Sequence, residues 1–250
     1  DSSSAPAASA PDTSLRAAAP GTLRILAYNI RHGEGMDSVI NLIRVARFIE
    51  RLAPDIVTLQ EIDSAVERTF GVNQMAVLGE LTGMEAAFGG FFDYQGGRYG
   101  MGILSKHPLL SYDNHRLPDG LEPRTALAAR IEVDEVEVVV VSIHLYATAE
   151  ERYAQAERLV EILEGEGSPV ILAGDFNSTP DSEVIALLAR HWEIANKGDD
   201  HFTFPSNSPE REIDYIMYRP ADRFTVVEHR VIAESLISDH RPLLLDLQLR

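Results

Sequence analysis

One pattern occurs twice in this chain and narrows its possible folds more than any other feature. An apolar run is followed by a stretch with helical spacing and then by a second apolar run that stops at an acidic side chain. In the first copy, residues 23–30 end in Tyr28-Asn29-Ile30-Arg31-His32-Gly33, and residues 56–59 run into Gln60-Glu61. Asp37 is the expected cap of the intervening helix, Ile40, Ile43, Ala46 and Ile49 recur at helical spacing, and Pro54 stops it. In the second copy, residues 136–144 end in Ser142-Ile143-His144, and residues 170–173 stop at Gly174-Asp175-Phe176-Asn177. Thr148 and Glu151 form a capping-box signature that opens the helix between them. Asp175 and Asn177 are two apart, so in extended backbone they point the same way. Taken alone, the tetrapeptide reads better as a strand running into an Asp/Asn turn.

Further helices are expected at 73–82 and 181–189. Strands are expected at 85–92, 101–104, 109–117, 125–133, 201–204, 213–218, 224–231 and 243–249, with 125–133 and 136–144 forming a hairpin turned by Asp134-Glu135. Many strands with helices interspersed predict an α/β fold of two sheets packed face to face with helices outside. Residues 1–20 are rich in Ala, Ser and Pro without periodicity and read as a flexible tether, leaving 21–250 as a single domain. The chain starts without Met. Export to the periplasm, medium or cell surface after loss of a signal peptide is the expectation, with a trimmed cytoplasmic protein as the alternative.

Composition removes several function classes. The 22 Lys and Arg face 39 Asp and Glu, a net charge of −17. That balance opposes an extended grip on nucleic acid, which depends on cations neutralising phosphates, so no stable nucleic-acid partner is expected. A small phosphorylated substrate is compatible, because a metal and one or two Arg can meet its few charges. With no Cys, disulfides and thiolate metal sites are excluded, and any metal must use carboxylate, amide or imidazole ligands. No apolar run approaches the roughly 20 residues that span a bilayer, so a transmembrane segment is not expected.

The polar residues that end or interrupt the apolar runs are Asn29, Glu61, Arg124, His144, Asp175, Asn177, Asp214, Asp239 and His240. Each has a structural reading of its own: a turn for Asn29 or residues 238–242, a cap for Glu61, a surface pair with Glu122 for Arg124, a core imidazole for His144, and solvation for Asp214. Together they complement one another chemically. Glu61, Asp239 and the Asn29 oxygen form a hard-oxygen set suited to Mg²⁺ or Mn²⁺. Asn177, His144 and His240 offer donors to phosphate oxygens, and Asp214 or Asp175 can orient a histidine or a water. This is an inventory for metal-assisted cleavage of a phosphate ester.

In order, Tyr28-Asn29-Ile30, Leu59-Gln60-Glu61, Tyr99-Gly100 with Ile103-Leu104-Ser105, Glu122-Pro123-Arg124, Ser142-Ile143-His144-Leu145, Gly174-Asp175-Phe176-Asn177, Ile213-Asp214-Tyr215 and Ser238-Asp239-His240-Arg241-Pro242 resemble the endonuclease/exonuclease/phosphatase superfamily. The resemblance implies a four-layer α/β/β/α sandwich of two mixed, mainly antiparallel sheets, and divalent-metal-dependent hydrolysis of a phosphoester by in-line attack of water. It also implies roles: Glu61 as principal metal ligand with Asn29 and Asp239; Asp175 positioning or deprotonating the water; Asn177 and His144 on the phosphate; and His240, oriented by Asp214, on a phosphoryl oxygen or, alternatively, as the base. His144 and Arg31 stand where abasic-site endonucleases carry Tyr and an acidic residue, which points away from abasic-site repair. Residues 28–33 and 97–100 look like a bacterial branch similar to the hydrolase domain of the calcofluor-white-hypersensitivity protein, which suggests a small phosphoester, an inositol phosphate or a phospholipid head group. Arg31, His32, Arg98 and Arg124 are the expected substrate contacts, and a monomer is expected. A sequence-tolerant nuclease of the DNase kind is the alternative.

Overall fold

The computed structural model describes residues 21–250, so the stretch read as a tether lies outside the described residues. The first half of the chain runs β1 (Thr22–Asn29), α1 (Leu42–Leu52), β2 (Ile56–Ser64), α2 (Gln74–Thr82), β3 (Glu85–Tyr94), β4 (Gly97–Ser105) and β5 (Leu109–Arg116). The second half runs β6 (Thr125–Val133), β7 (Val136–His144), α3 (Ala149–Leu163), β8 (Val170–Asp175), α4 (Glu183–Leu188), β9 (Glu193–Ile194), β10 (Asp214–Arg219), β11 (Phe224–Val231) and β12 (Leu243–Leu249). The strands form two six-stranded sheets, ordered β11-β12-β1-β2-β4-β3 and β5-β6-β7-β8-β10-β9.

Residue alternation builds four layers. Ile25, Ala27 and Leu245 of one sheet pack against Leu127, Ile171 and Ile216 of the other in a core between the sheets. The opposite face of the first sheet, with Leu26 and Tyr28, is covered by Phe48, Ile49 and Leu78 from α1 and α2. The opposite face of the second, with Val139 and Val141, is covered by Leu159, Leu163 and Leu188 from α3 and α4. Central strands buried on both faces carry near-continuous apolar runs, and each fully buried side chain contributes about 1.5–3 kcal/mol of transfer free energy. The four-layer sandwich is the one expected from the sequence.

Each sheet has one parallel pair among its described strands, β1 with β2 and β7 with β8. Helices α1 and α3 make the return connections, since parallel neighbours need a crossover. The C-terminal ends of the two pairs meet: Asn29 is in register with Gln60, His144 with Asp175, and Gln60 Nε2 donates to Ser142 Oγ across the sheets at 3.1 Å.

Some local expectations need correction. Helix α1 starts at Leu42 and is capped by Asn41, whose Oδ1 accepts from Arg44 N at 2.9 Å; Asp37 instead holds the Arg44 guanidinium at 2.7 and 3.1 Å. Ile43, placed on the apolar face by spacing, is exposed, while Val45, Phe48 and Leu52 are buried. Residues 201–204 alternate like a strand, but their backbone bonds go to loop residues, with Thr203 N donating to Arg211 O and Arg241 N to Thr203 O. The edge strand is β9, a two-residue element too short to leave a sequence signal.

Candidate active site

The strand ends converge on a pocket of about 360 Å³ lined by Glu61, Arg68, Phe92, Tyr94, Tyr99, Glu122, Arg124, His144, Tyr146, Asp175, Asn177, Phe204, Asp239 and His240. Glu61 reaches it through a local break in β2. The β2–β4 register shifts between Gln60 and Ile62, and Glu61 takes φ +59°, a left-handed conformation that turns the side chain out of the strand's alternation. Such a conformation in a residue with a Cβ costs about 1–3 kcal/mol and persists where the surroundings impose it. Gly174 precedes Asp175 at φ +145°, and a Cβ there would lie 2.1 Å from Ile143 O, so only glycine allows β8 to bring Asp175 this close to β7.

Asn29 is the hub. Its Nδ2 donates to Glu61 Oε1 and to Asp175 Oδ2, both at 3.1 Å, while its Oδ1 accepts from Arg31 N at 3.1 Å. Ser238, fully buried, holds the Asn29 backbone by donating from Oγ to Asn29 O at 2.7 Å, and Ser206 Oγ holds Ser238 O at 2.7 Å. Beside this hub, the two carboxylate oxygens of Asp214 lie 3.0 and 3.2 Å from His240 Nδ1. That leaves His240 Nε2 facing Asp175 Oδ2 at 3.6 Å, with His144 Nε2 at 3.4 Å from the same oxygen. Asn177 takes φ +47°, donates its backbone N–H to Asp175 Oδ1 at 2.8 Å, and bonds Leu145 O at 2.8 Å through Nδ2, which keeps a second N–H.

Burial sets the charges. Asp175 is pushed up to about 7, first by desolvation and then by Asp214, against the opposing pull of His240. His240 rises to about 10: desolvation disfavours its cation, but Asp214 and Asp175 together more than offset it. His144 moves the other way, well below the ordinary histidine range, because it is desolvated and lies near Arg124 and His240. The site thus holds one imidazolium and one neutral imidazole on either side of a carboxyl group poised between its two states.

Arg124 is 1% exposed, with Phe91 and Tyr146 stacked at 4.7 and 4.6 Å from its guanidinium. Its Nη2 donates to Glu122 at 2.7 Å, while Nε and Nη1 are buried with no hydrogen-bond partner among the described residues. A buried guanidinium with two unmet donors at a pocket wall is suited to an anionic oxygen, since leaving them unmet costs about 1–3 kcal/mol.

The structure therefore gathers Asn29, Glu61, Arg124, His144, Asp175, Asn177, Asp214, Asp239 and His240 in one place. It does not gather Arg31, His32 and Arg98. Arg31 and His32 turn toward Glu34, at 3.5 and 3.4 Å, outside the pocket. Arg98 alternates with Tyr99 along β4; Tyr99 takes the pocket side, and Arg98 lies over Gly90 with Asp93 at 3.7 Å. Asn29 turns its amide nitrogen toward the carboxylates and its oxygen toward Arg31 N, so its side chain bridges Glu61 and Asp175. The sequence reading missed Arg68, Tyr94, Tyr146 and Phe204, which carry no spacing signal and reach the pocket from loops and a hairpin.

Glu61 and Asp239 line the pocket and make no ion pair within 4 Å among the described residues; their hydrogen bonds are to Asn29 Nδ2 and Ser238 Oγ, and the Asp239 charge also favours the His240 imidazolium. Two hard oxygen ligands facing one cavity fit a divalent cation. The tightest acidic group with a histidine is a different one, Asp175 with Asp214 and His240, whose ligating atoms lie within 4.8 Å of one another. There His240 Nδ1 is already engaged by Asp214, and both carboxylates favour the imidazolium.

The family model described as "Endonuclease/Exonuclease/phosphatase family" matches residues 26–240. The chain belongs to this family. Members of the endonuclease/exonuclease/phosphatase family hydrolyse phosphoester bonds and generally use divalent metals, and the chain is a phosphoric ester hydrolase. Among curated relatives, it is 28% identical over 217 residues to the Escherichia coli K12 protein YbhP, covering 80% of this chain and 86% of that one. Among solved structures of the same fold, an endonuclease/exonuclease/phosphatase from Bacteroides vulgatus superposes with a TM-score of 0.77 at 23% identity over 92% of this chain and 99% of that chain. The mannosyl-6-phosphatase of Bacteroides thetaiotaomicron VPI-5482 gives 0.73 at 19% identity over 90% and 99%. No helix among the described residues is long and apolar enough to cross a membrane.

Proposed function

We propose that this member of the family is a Mg²⁺- or Mn²⁺-dependent hydrolase of a small phosphoester, such as a sugar or inositol phosphate or a phospholipid head group. The observation that carries the reading is the pairing of the His240–Asp214 dyad with a buried, half-unpartnered Arg124 around a pocket of about 360 Å³, a size that suits a small ligand better than a duplex. Asp175, held by Asn29 and the Asn177 backbone, aligns a water and takes its proton as the water oxygen bonds to phosphorus and the ester P–O bond breaks. The His240 imidazolium and the remaining Asn177 N–H meet the negative charge that builds on the phosphoryl oxygens, and Arg124 orients the group. Glu61 and Asp239 would hold the cation, which supplies Lewis-acid stabilisation of that charge.

The test is turnover of the purified protein with Mg²⁺ or Mn²⁺ on inositol phosphates, phospholipid vesicles, a chromogenic phosphodiester and plasmid DNA. The small esters are expected to turn over faster. Glu61→Gln is expected to raise the metal concentration needed for half-maximal rate, and His240→Ala to lower turnover while the metal titration stays nearly in place. Plasmid nicking far above every small ester would overturn the reading in favour of a nuclease.

A further inference from the structure

Arg68 lies in the pocket wall yet has no part in the hydrolysis scheme above. Its position is built with care for one edge only. Nε and Nη2 donate to the two oxygens of Asp63 at 2.7 and 2.8 Å. Asp63 is fully buried, accepts from Thr69 Oγ1 at 3.2 Å, and donates its backbone N–H to Gln74 Oε1 at 2.9 Å. The backbone N–H of Arg68 donates to Gln95 Oε1 at 3.1 Å, and its guanidinium stacks 5.0 and 5.3 Å from the ring centres of Tyr94 and Tyr99. None of these contacts uses Nη1.

Arg124 stands on the same Tyr99 ring, 5.8 Å from its centre, and is held to its own carboxylate by one bond from Nη2, with Nε and Nη1 lacking a hydrogen-bond partner among the described residues. Two guanidinium groups, each fixed by one acid, thus converge on one tyrosine and face one cavity. A single phosphoryl group, already met by Arg124, His240 and Asn177, does not account for the second. We propose that Arg68 forms a subsite for a second anionic group of the substrate, so that the preferred substrates carry a further phosphate or carboxylate beside the scissile phosphoester. The inference rests on the hydrolase reading above and narrows its substrate class. A rigid, stacked guanidinium loses little freedom on binding and offers a paired N–H edge to a planar or tetrahedral oxyanion.

The experiment compares kcat/KM for a vicinal inositol bisphosphate and for inositol monophosphate, in solution and as head groups in vesicles, in the wild type, Arg68→Lys and Arg68→Gln. Arg68→Gln strands a buried Asp63, so the double variant Asp63→Asn/Arg68→Gln, which leaves no unpaired buried charge, is measured beside it. In the wild type the bisphosphate is expected to be preferred in at least one of the two presentations. In both Gln variants that ratio is expected to fall by about 10- to 100-fold, carried by KM, as for loss of a hydrogen bond to a charged group. Arg68→Lys is expected to retain part of it. A wild-type ratio near one, or an equal loss on both substrates in the double variant, would overturn the subsite and leave Arg68 as a brace for the β3–β4 hairpin. Absence of turnover on every small ester would instead overturn the small-phosphoester reading.

Discussion

The chemistry of single residues here depends on charge placed where water is scarce. His240 keeps its proton because Asp214 lies 3.0 Å from Nδ1, and the same bond turns Nε2 toward the pocket. Removing the charge while keeping the shape separates these effects from packing. Asp214→Asn is expected to lower kcat by about 10²- to 10³-fold, the span associated with losing one positioned donor to developing charge, with the circular dichroism spectrum unchanged. A loss below tenfold would show that the imidazole is oriented without Asp214. Asn29 is the less obvious residue of the group. Its amide nitrogen donates to both Glu61 and Asp175, so the two carboxylates are tied to one frame.

Elements position these residues by ending, breaking or bending at chosen points. β8 stops at Asp175, β2 bulges at Glu61, and the loop through Ser238 is pinned to β1 by one serine hydroxyl. Away from the site, β11 carries a half-buried group of a different kind. His229 lies 3.1 Å from Ala195 O through Nδ1, its Nε2 is buried without a partner, and its titration is lowered to about 4 by desolvation first and the Lys197 charge second. In the unfolded chain a histidine takes up its proton near 6.5, so the unfolded state binds more protons between those two values. Stability contributed by neutral His229 is therefore complete above about pH 6.5 and falls as pH drops toward 4, by about 3 kcal/mol in all. His229→Gln is expected to flatten that part of the acid-side loss, read as urea midpoints at pH 7 and pH 4.5. Parallel slopes in both proteins would refute it.

At the scale of the molecule, two sheets must be locked in registration so that residues more than a hundred positions apart meet within hydrogen-bond distance. A buried ion pair contributes at the far end of β1 from the site. Arg24 and Asp246 lie opposite one another in the β1–β12 register and bond at 2.7 Å through two guanidinium nitrogens, with side chains 3% and 7% exposed. Asp246→Ala removes the carboxylate that takes two of the guanidinium's N–H groups in a buried setting and is expected to cost about 3–5 kcal/mol, seen as a lower thermal midpoint, while kcat per folded molecule stays at the wild-type value. An unchanged midpoint would mean that water or another acid meets the guanidinium.

Local order set much of this in advance. Apolar runs of strand length, the Thr148–Glu151 cap and the Asp134-Glu135 turn depend on neighbours a few residues away, so the four-layer sandwich and most strand positions could be read from the chain. So could the acidic and imidazole residues at strand ends, because a polar side chain closing an apolar run stands out. Side-chain direction could not be read in this way. Whether Asn29 shows oxygen or nitrogen to Glu61, whether Arg98 or Tyr99 faces the cavity, and whether Asn41 or Asp37 caps α1 each depend on a partner supplied from elsewhere in the chain. Arg68 and Phe204 gave no signal at all, because a loop residue joins a pocket only once the sheets have packed. The kind of chemistry was thus written in the sequence. The identity of the donors, their protonation and the shape of the pocket arose from long-range packing, which decides which groups lose water and which charges they meet instead.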